Sequence, residues 1–296
     1  MSSLSADQVG MWDFHLNYHE AEQIRAWVAE LEQLDLGSIW IGEALFRDPF
    51  TLAGILLSAT TKLIVATGVT NIWVRDAFAT VAAQLTLAEA YPNRFLLGVG
   101  VSHPQLVDGR GHRYLKPFSE MRDYLDRMDE AWDAYKARKP VERPKRVLAA
   151  LGPRMLELAA ERADGAHTYL VPPEHTRLAR HVLGPTALLV PEQAVVLDEN
   201  PSRARRLART HIRRYLPLQN YTRNLCHLGF SEADFVGDGS DRLVDAIVAH
   251  GSVARIKERI RAHREAGATH VCLHILSPAY QQFPIAQWRA LLRSPQ

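Results

Sequence analysis

Predominantly apolar runs alternate along this chain with longer segments of helical periodicity. The first run covers Val9 to Phe14. A helical stripe follows, with Ile24, Trp27, Val28, Leu31 and Leu34 on one face, and Gly37 is the expected stop. Ser38-Ile39-Trp40-Ile41 is the second run, and Pro49 is placed to begin the next helix, as a first-turn proline does. Further runs lie at 63–67, 94–99, 146–150, 166–170, 188–197 and 270–275. The intervening helices are expected over 76–90, 117–135, 155–163, 173–181, 201–215, 253–266 and 285–292. Strands that are apolar on both faces belong to a parallel sheet covered on both sides. Eight such units close most simply into an α/β (β/α)8 TIM barrel, a single domain over residues 1–296. An open doubly wound sheet is the competing fold, but it usually carries a glycine-rich dinucleotide loop after its first strand, which is missing here.

Two segments break the alternation. Residues 102–116 are polar and longer than a usual strand-to-helix loop, which predicts a lid or binding loop. Residues 217–250 read as an irregular helical insertion before the last strand.

Composition narrows the function without naming it. The 296 residues are 47% hydrophobic and 23% charged, with a formal net charge of +2, so nothing points to nucleic acid or a membrane surface as partner. The densest basic run, Arg203 to Arg214, is interleaved with apolar residues and reads as a solvated helix face rather than a phosphate patch. Cys226 and Cys272 are too few for a disulfide framework or a cysteine-based zinc site. Met1 to Asp7 lack a basic-then-apolar leader pattern, and no apolar run is long enough to cross a bilayer, so a cytoplasmic location is expected.

In a barrel of this type the chemistry sits where strands end and helices begin. That rule gathers Phe14, Glu43, Thr67 to Asn71, Ser102, His103, Gly152 to Arg154, Thr168 and Tyr169 around one mouth. Glu43 and His103 are titratable groups at strand ends and are candidates for proton transfer; a solvated loop glutamate is the alternative for Glu43. Gly98 and Gly100 start a G-x-G pattern that has His103 at the third glycine position, which weakens a dinucleotide reading. Their missing side chains are expected to leave room for a flat ring. Gly152-Pro153-Arg154 enters a helix N-terminus, which is either a phosphate site or an ordinary helix start. Trp12 and Trp40 are expected in the core, and Trp73, on a loop, as a wall for an apolar substrate. His103, His112, His167 and His175 fall on separate loops with no metal-ligand spacing, so no metal is expected. No Gly-x-Ser-x-Gly elbow of a serine hydrolase occurs.

Residues 63–71 (LIVATGVTN), 84–100 (QLTLAEAYPNRFLLGVG), 150–155 (ALGPRM) with Asp164-Gly165-Ala166, and 266–271 (AGATHV) together resemble the luciferase-like monooxygenase superfamily, in its branch of oxidoreductases using the deazaflavin coenzyme F420. The resemblance covers most of residues 8–276 and is weakest over 217–250. It implies a TIM barrel with the coenzyme's ring across the ends of the third and fourth strands, and a non-proline cis peptide at Gly68–Val69 behind it. Thr70, Asn71 and Ser102 would border the ring, and Gly152, Pro153, Arg154, Thr168 and Tyr169 would hold the phosphate. Phe14 and Trp73 would face the substrate. Sugar-phosphate dehydrogenases of this branch carry a histidine and a glutamate at the ends of strands two and four. Here the types are exchanged, as Glu43 and His103, which implies another small-molecule substrate. FMN, with oxygen activation, is the alternative cofactor, a ligand-binding barrel without turnover is a third reading, and a homodimer is expected from the resemblance.

Overall fold

The computed structural model describes residues 4–293; the first three and last three residues, part of the single-domain span and of the N-terminal reading, lie outside the described residues. Ten parallel strands occur among the described residues: β1 (Val9–Asp13), β2 (Ser38–Ile41), β3 (Ile64–Thr67), β4 (Thr70–Asn71), β5 (Phe95–Gly100), β6 (Arg146–Ala149), β7 (Gly165–Thr168), β8 (Leu188–Val196), β9 (Ala249–His250) and β10 (Val271–Ile275). Eight of them close the barrel in the order β1, β2, β3, β5, β6, β7, β8, β10, and the ring is sealed where Val9 pairs with Val271 and Cys272 with Glu192. β4 continues β3 beyond a cis peptide at Gly68–Val69 and pairs with β5, while β9 lies beside the end of β8. The TIM barrel read from the strand pattern is the fold observed.

Alternation along the strands divides most of their buried residues between two cores, while Ala194 and Val196 of β8 join a third with Tyr221, Leu225 and Leu243. Met11, Ile39, Val65, Leu97 and Leu273 pack outward against the helices. Trp12, Trp40, Ile64, Ala66, Leu96, Val147, Val190 and Cys272 fill the barrel interior. Helix starts follow local chemistry. Asp48, just before Pro49, accepts from the Thr51 N–H, and Asp76 accepts from the Ala79 N–H, each satisfying an otherwise orphan donor. The first helix, Ala21–Gln33, ends differently from expectation. Asp35, not Gly37, takes the left-handed conformation (φ 69°), and its carboxylate accepts from the Gln8 side chain at 2.6 Å. Aspartate tolerates that region because its short polar chain bonds locally.

The 102–116 segment contains a short helix, Pro104–Asp108, and the 217–250 segment contains three, Gln219–His227, Glu232–Phe235 and Asp241–Ile247. The basic run lies on the helix Pro201–Ile212, where Arg205 pairs with Asp241 and Asp245, and Arg209 with Asp241. With Arg203 on Asp198, three arginines of the run are thus taken up in ion pairs. No helix among the described residues is long and apolar enough to cross a membrane.

Candidate functional site

The strand ends do converge on one mouth. At its centre is the segment from Thr67 to Asn71. The Trp12 indole N–H donates to the Gly68 carbonyl at 2.9 Å, and the Gly68 N–H donates to the Ile41 carbonyl at 2.8 Å, so β1, β2 and β3 share this point. Thr70 and Thr168 are fully buried, and neither hydroxyl has a hydrogen-bond partner. Buried hydroxyls normally find one, so these two, on β4 and at the end of β7, stand out.

Glu43 has a different task from the one expected. Its carboxylate accepts from the Asn71 N–H at 2.7 Å and is gripped by both terminal nitrogens of Arg75, at 2.8 and 2.9 Å. The side chain is 5% exposed and that of Arg75 15%. A bidentate carboxylate so held is a clasp fixing β4, not a mobile proton carrier. Arg75→Met is expected to cost about 2 kcal/mol, below the usual figure for stranding a buried charge because both groups reach solvent at their edges. Urea unfolding measures it, and an unchanged midpoint would contradict the clasp.

His103 remains as the titratable group at the rim. It precedes the helix Pro104–Asp108, and its Nε2 lies 3.2 Å from the Tyr221 hydroxyl, the two rings being stacked 5.7 Å apart. Burial lowers its pKa from the ordinary imidazole value. The loop behind it packs across the mouth: Arg110 donates to the Ala44 carbonyl at 2.8 Å, Tyr114 donates to the Ser102 carbonyl, and Tyr114 lies 6.1 Å from Trp73. Trp73 is fixed by donating to the Val101 carbonyl, and Phe14 packs edge-on against Trp12 and beside Phe46. Both aromatic residues expected to face substrate thus stand at the rim, as does Ser102, in left-handed conformation (φ 60°).

Three expectations change. Gly98 and Gly100 do not open space for a ring: a Cβ on Gly98 would lie 2.1 Å from the Thr67 carbonyl oxygen, and one on Gly100 2.5 Å from Val69 Cγ2. These glycines let β3 and β5 approach, with the Thr67 hydroxyl donating to the Gly98 carbonyl. Gly98→Ala should therefore destabilise by about 1–3 kcal/mol, the usual cost of overpacking, measurable as a lower urea midpoint. Arg154 does not reach over the Gly152 turn; its guanidinium lies 4.3 Å over the Phe118 ring. Gly152 and Pro153 keep their place at the helix N-terminus, where a Cβ on Gly152 would meet nothing within 4 Å. Tyr169 turns into the barrel, and its hydroxyl bonds that of Tyr215 at 2.9 Å.

Sequence reasoning missed two groups. Asp13, His15 and Ser277 form a line, with His15 Nδ1 2.7 Å from Asp13 and Nε2 2.7 Å from Ser277; it straps the chain after β10 to the end of β1. Glu192, His211 and His274 meet inside the barrel. Burial raises the Glu192 carboxyl to about 7 and lowers the His211 and His274 imidazoles to about 3. The glutamate in the apolar run of β8 was the available signal for the second group, since a carboxylate inside a barrel strand needs a partner.

The sequence pattern of the luciferase-like monooxygenase family matches residues 7–270. A Mycobacterium tuberculosis protein provisionally named a coenzyme F420-dependent oxidoreductase is 30% identical over 187 residues, covering 53% of each chain. The 5,10-methylenetetrahydromethanopterin reductase of Methanolobus tindarius is 27% identical over 149 residues, 45% of this chain and 46% of that one. The chain thus matches about half the length of these relatives. Among solved structures, an F420-dependent secondary alcohol dehydrogenase in complex with an F420-acetone adduct superposes with a TM-score of 0.74 at 16% identity, over 93% of this chain and 94% of that one. The FMN-bound oxygenating constituent of the 3,6-diketocamphane monooxygenase of Pseudomonas putida does so at 0.68 and 17% identity, over 96% of each. At these identities the structural likeness carries the fold alone. With the family pattern spanning nearly the whole barrel, the chain belongs to the luciferase-like monooxygenase family.

Proposed function

We propose that this protein is an oxidoreductase that transfers a hydride between coenzyme F420 and a small organic carbonyl or alcohol. The observation that carries the reading is the pair of buried, unpartnered hydroxyls of Thr70 and Thr168 at a mouth rimmed by His103, Phe14 and Trp73. The F420 names of the relatives support the choice of coenzyme. The residues present fit a deazaflavin: Gly68, Val69, Thr70 and Asn71 would line one face of its ring and Ser102 its edge. The Gly152–Pro153 turn with Thr168 would take the phosphate end, and Tyr169 would back the ring from inside the barrel. Bound there, the coenzyme would supply or accept the hydride at its ring carbon.

The protein's own part is positioning and proton movement. Glu43 and Arg75 hold β4 in place. His103 is largely neutral at pH 7, because burial disfavours its charged form. With Nε2–H donating to the Tyr221 hydroxyl oxygen, Nδ1 would keep its lone pair to take the proton of an alcohol, and the imidazolium so formed would return it to an alkoxide in the reverse direction. The loop 102–116 acts as the lid, with Tyr114 and Trp73 excluding water.

The competing FMN monooxygenase reading rests on the FMN-bound neighbour. A side-by-side fluorescence and thermal-shift titration with F420 and FMN separates the two. Saturable F420 binding at micromolar concentration with no FMN response is expected. Tight FMN binding alone would replace the proposal with the monooxygenase, and binding of neither would remove the cofactor assignment.

A further inference from the structure

We infer that Glu192, His211 and His274 form a binding site for a divalent transition metal inside the barrel. Glu192 and His274 stand on the adjacent strands β8 and β10, whose register sets Cys272 against Glu192 and His274 against Ala194. Both side chains therefore lie on the interior face, two positions apart. His211 approaches from the helix Pro201–Ile212, which follows β8. Each residue offers one ligand atom, and these atoms all lie within 4.8 Å of one another; Glu192 Oε1 is 3.3 Å from His274 Nδ1.

The second observation is that nothing else satisfies these atoms. Glu192, His211 and His274 are 1%, 4% and 1% exposed, yet Glu192 Oε1, His211 Nε2 and both ring nitrogens of His274 have no hydrogen-bond partner. Buried polar atoms are rarely left so, and apart from the 3.3 Å contact between Glu192 and His274 the four face no protein partner, which points to a ligand between them. The other carboxylate oxygen, Oε2, accepts from the Leu170 N–H at 3.2 Å, which fixes the carboxylate's orientation. Aromatic rings wall the cluster. Trp12 lies 4.8 Å from His274, and Tyr215 lies 5.1 Å from His211.

Two imidazoles and one carboxylate suit zinc and the neighbouring transition ions rather than calcium or magnesium, which take oxygen ligands. Three protein ligands also leave a coordination position open. The site lies directly behind Trp12, whose N–H holds the Gly68 carbonyl, so a bound ion would stiffen the inner wall of the mouth.

The test uses the full chain, untagged, stripped with chelator, without F420, and titrated with Co²⁺ and then Zn²⁺. One equivalent of Co²⁺ with visible absorption of low-coordinate cobalt, displaced by Zn²⁺, is expected, together with a higher melting temperature. Glu192→Gln and His274→Ala should each lower the affinity at least about 100-fold, since even the groups supporting a ligand are worth that much. His112→Ala, at an exposed histidine, should bind as the parent does. Should the strand variants fail to fold by circular dichroism, His211→Gln, on the helix, carries the same expectation. Failure of Co²⁺ to bind the parent below millimolar concentration would overturn the site, as would binding that survives in the folded ligand variants. Because no coenzyme is present, these outcomes are independent of the F420 reading.

Discussion

His103→Ala is expected to bind F420 as the parent does and to turn over about 10²-fold to 10⁴-fold more slowly, the usual worth of a positioned acid–base group. The reason lies in its placement at the end of β5, stacked on Tyr221 and hydrogen-bonded to it through Nε2. Removing the imidazole removes the proposed proton carrier and leaves the floor of the mouth untouched, because Thr67 to Asn71 are held by Trp12, Ile41, Glu43 and Arg75. The loss should therefore appear in kcat while the coenzyme's Kd stays constant. Burial lowers the His103 pKa, so the parent's acid limb should fall below the ordinary imidazole range near pH 6.5. The limb should vanish in His103→Ala and shift in Tyr221→Phe. A pH–rate profile with the same acid limb in His103→Ala, or a kcat within a few-fold of the parent, would assign the proton elsewhere.

Acid should weaken the fold well before ordinary carboxylates titrate. Burial lowers the imidazoles of His167 and His270 to about 4 and that of His263 to about 3. His167 stacks on Trp40 and bonds the Val190 carbonyl; His270 joins Ser38 to the Ser5 carbonyl; His263 lies between Thr176 and Gln193. In the unfolded chain each takes a proton near pH 6.5. Folded pKa values that are depressed mean that this stability is complete above pH 6.5 and is lost as the pH falls toward 4 and then 3. At pH 5 the loss is about 2 kcal/mol per histidine, roughly 6 kcal/mol for the three. The Glu192, His211 and His274 cluster adds contributions of both signs, because burial raises its carboxyl and lowers its imidazoles. Against a total stability of about 5–15 kcal/mol for a native domain, a loss of this size should show as a much lower urea midpoint at pH 5 than at pH 7.5. His167→Phe, which keeps the stack on Trp40, should reduce the difference. Equal midpoints at the two pH values would show that these groups are solvated.

The sequence alone determined the barrel. Each strand needed only a predominantly apolar run, each helix a periodic stripe with a cap such as Asp48 or Asp76, and eight right-handed units leave few ways to bury every face. The mouth followed from that topology, because strand ends are fixed once the strands are. Which atoms at the mouth are free was decided only by the tertiary structure. Glu43 and His103 look alike in the chain as titratable residues at strand ends. Arg75, arriving from beyond β4, occupies the carboxylate, while the imidazole meets only Tyr221 from the distant 217–250 segment. Gly98 and Gly100 read as open space until Thr67 and Val69 filled it. Arg154, at a helix start, found the Phe118 ring. Glu192, His211 and His274 span more than eighty residues of sequence, and only the closure of β8 against β10 brings them together. Hydrophobic periodicity is local and survives in the sequence, whereas the pairing of polar atoms depends on long-range contacts that closure of the barrel creates.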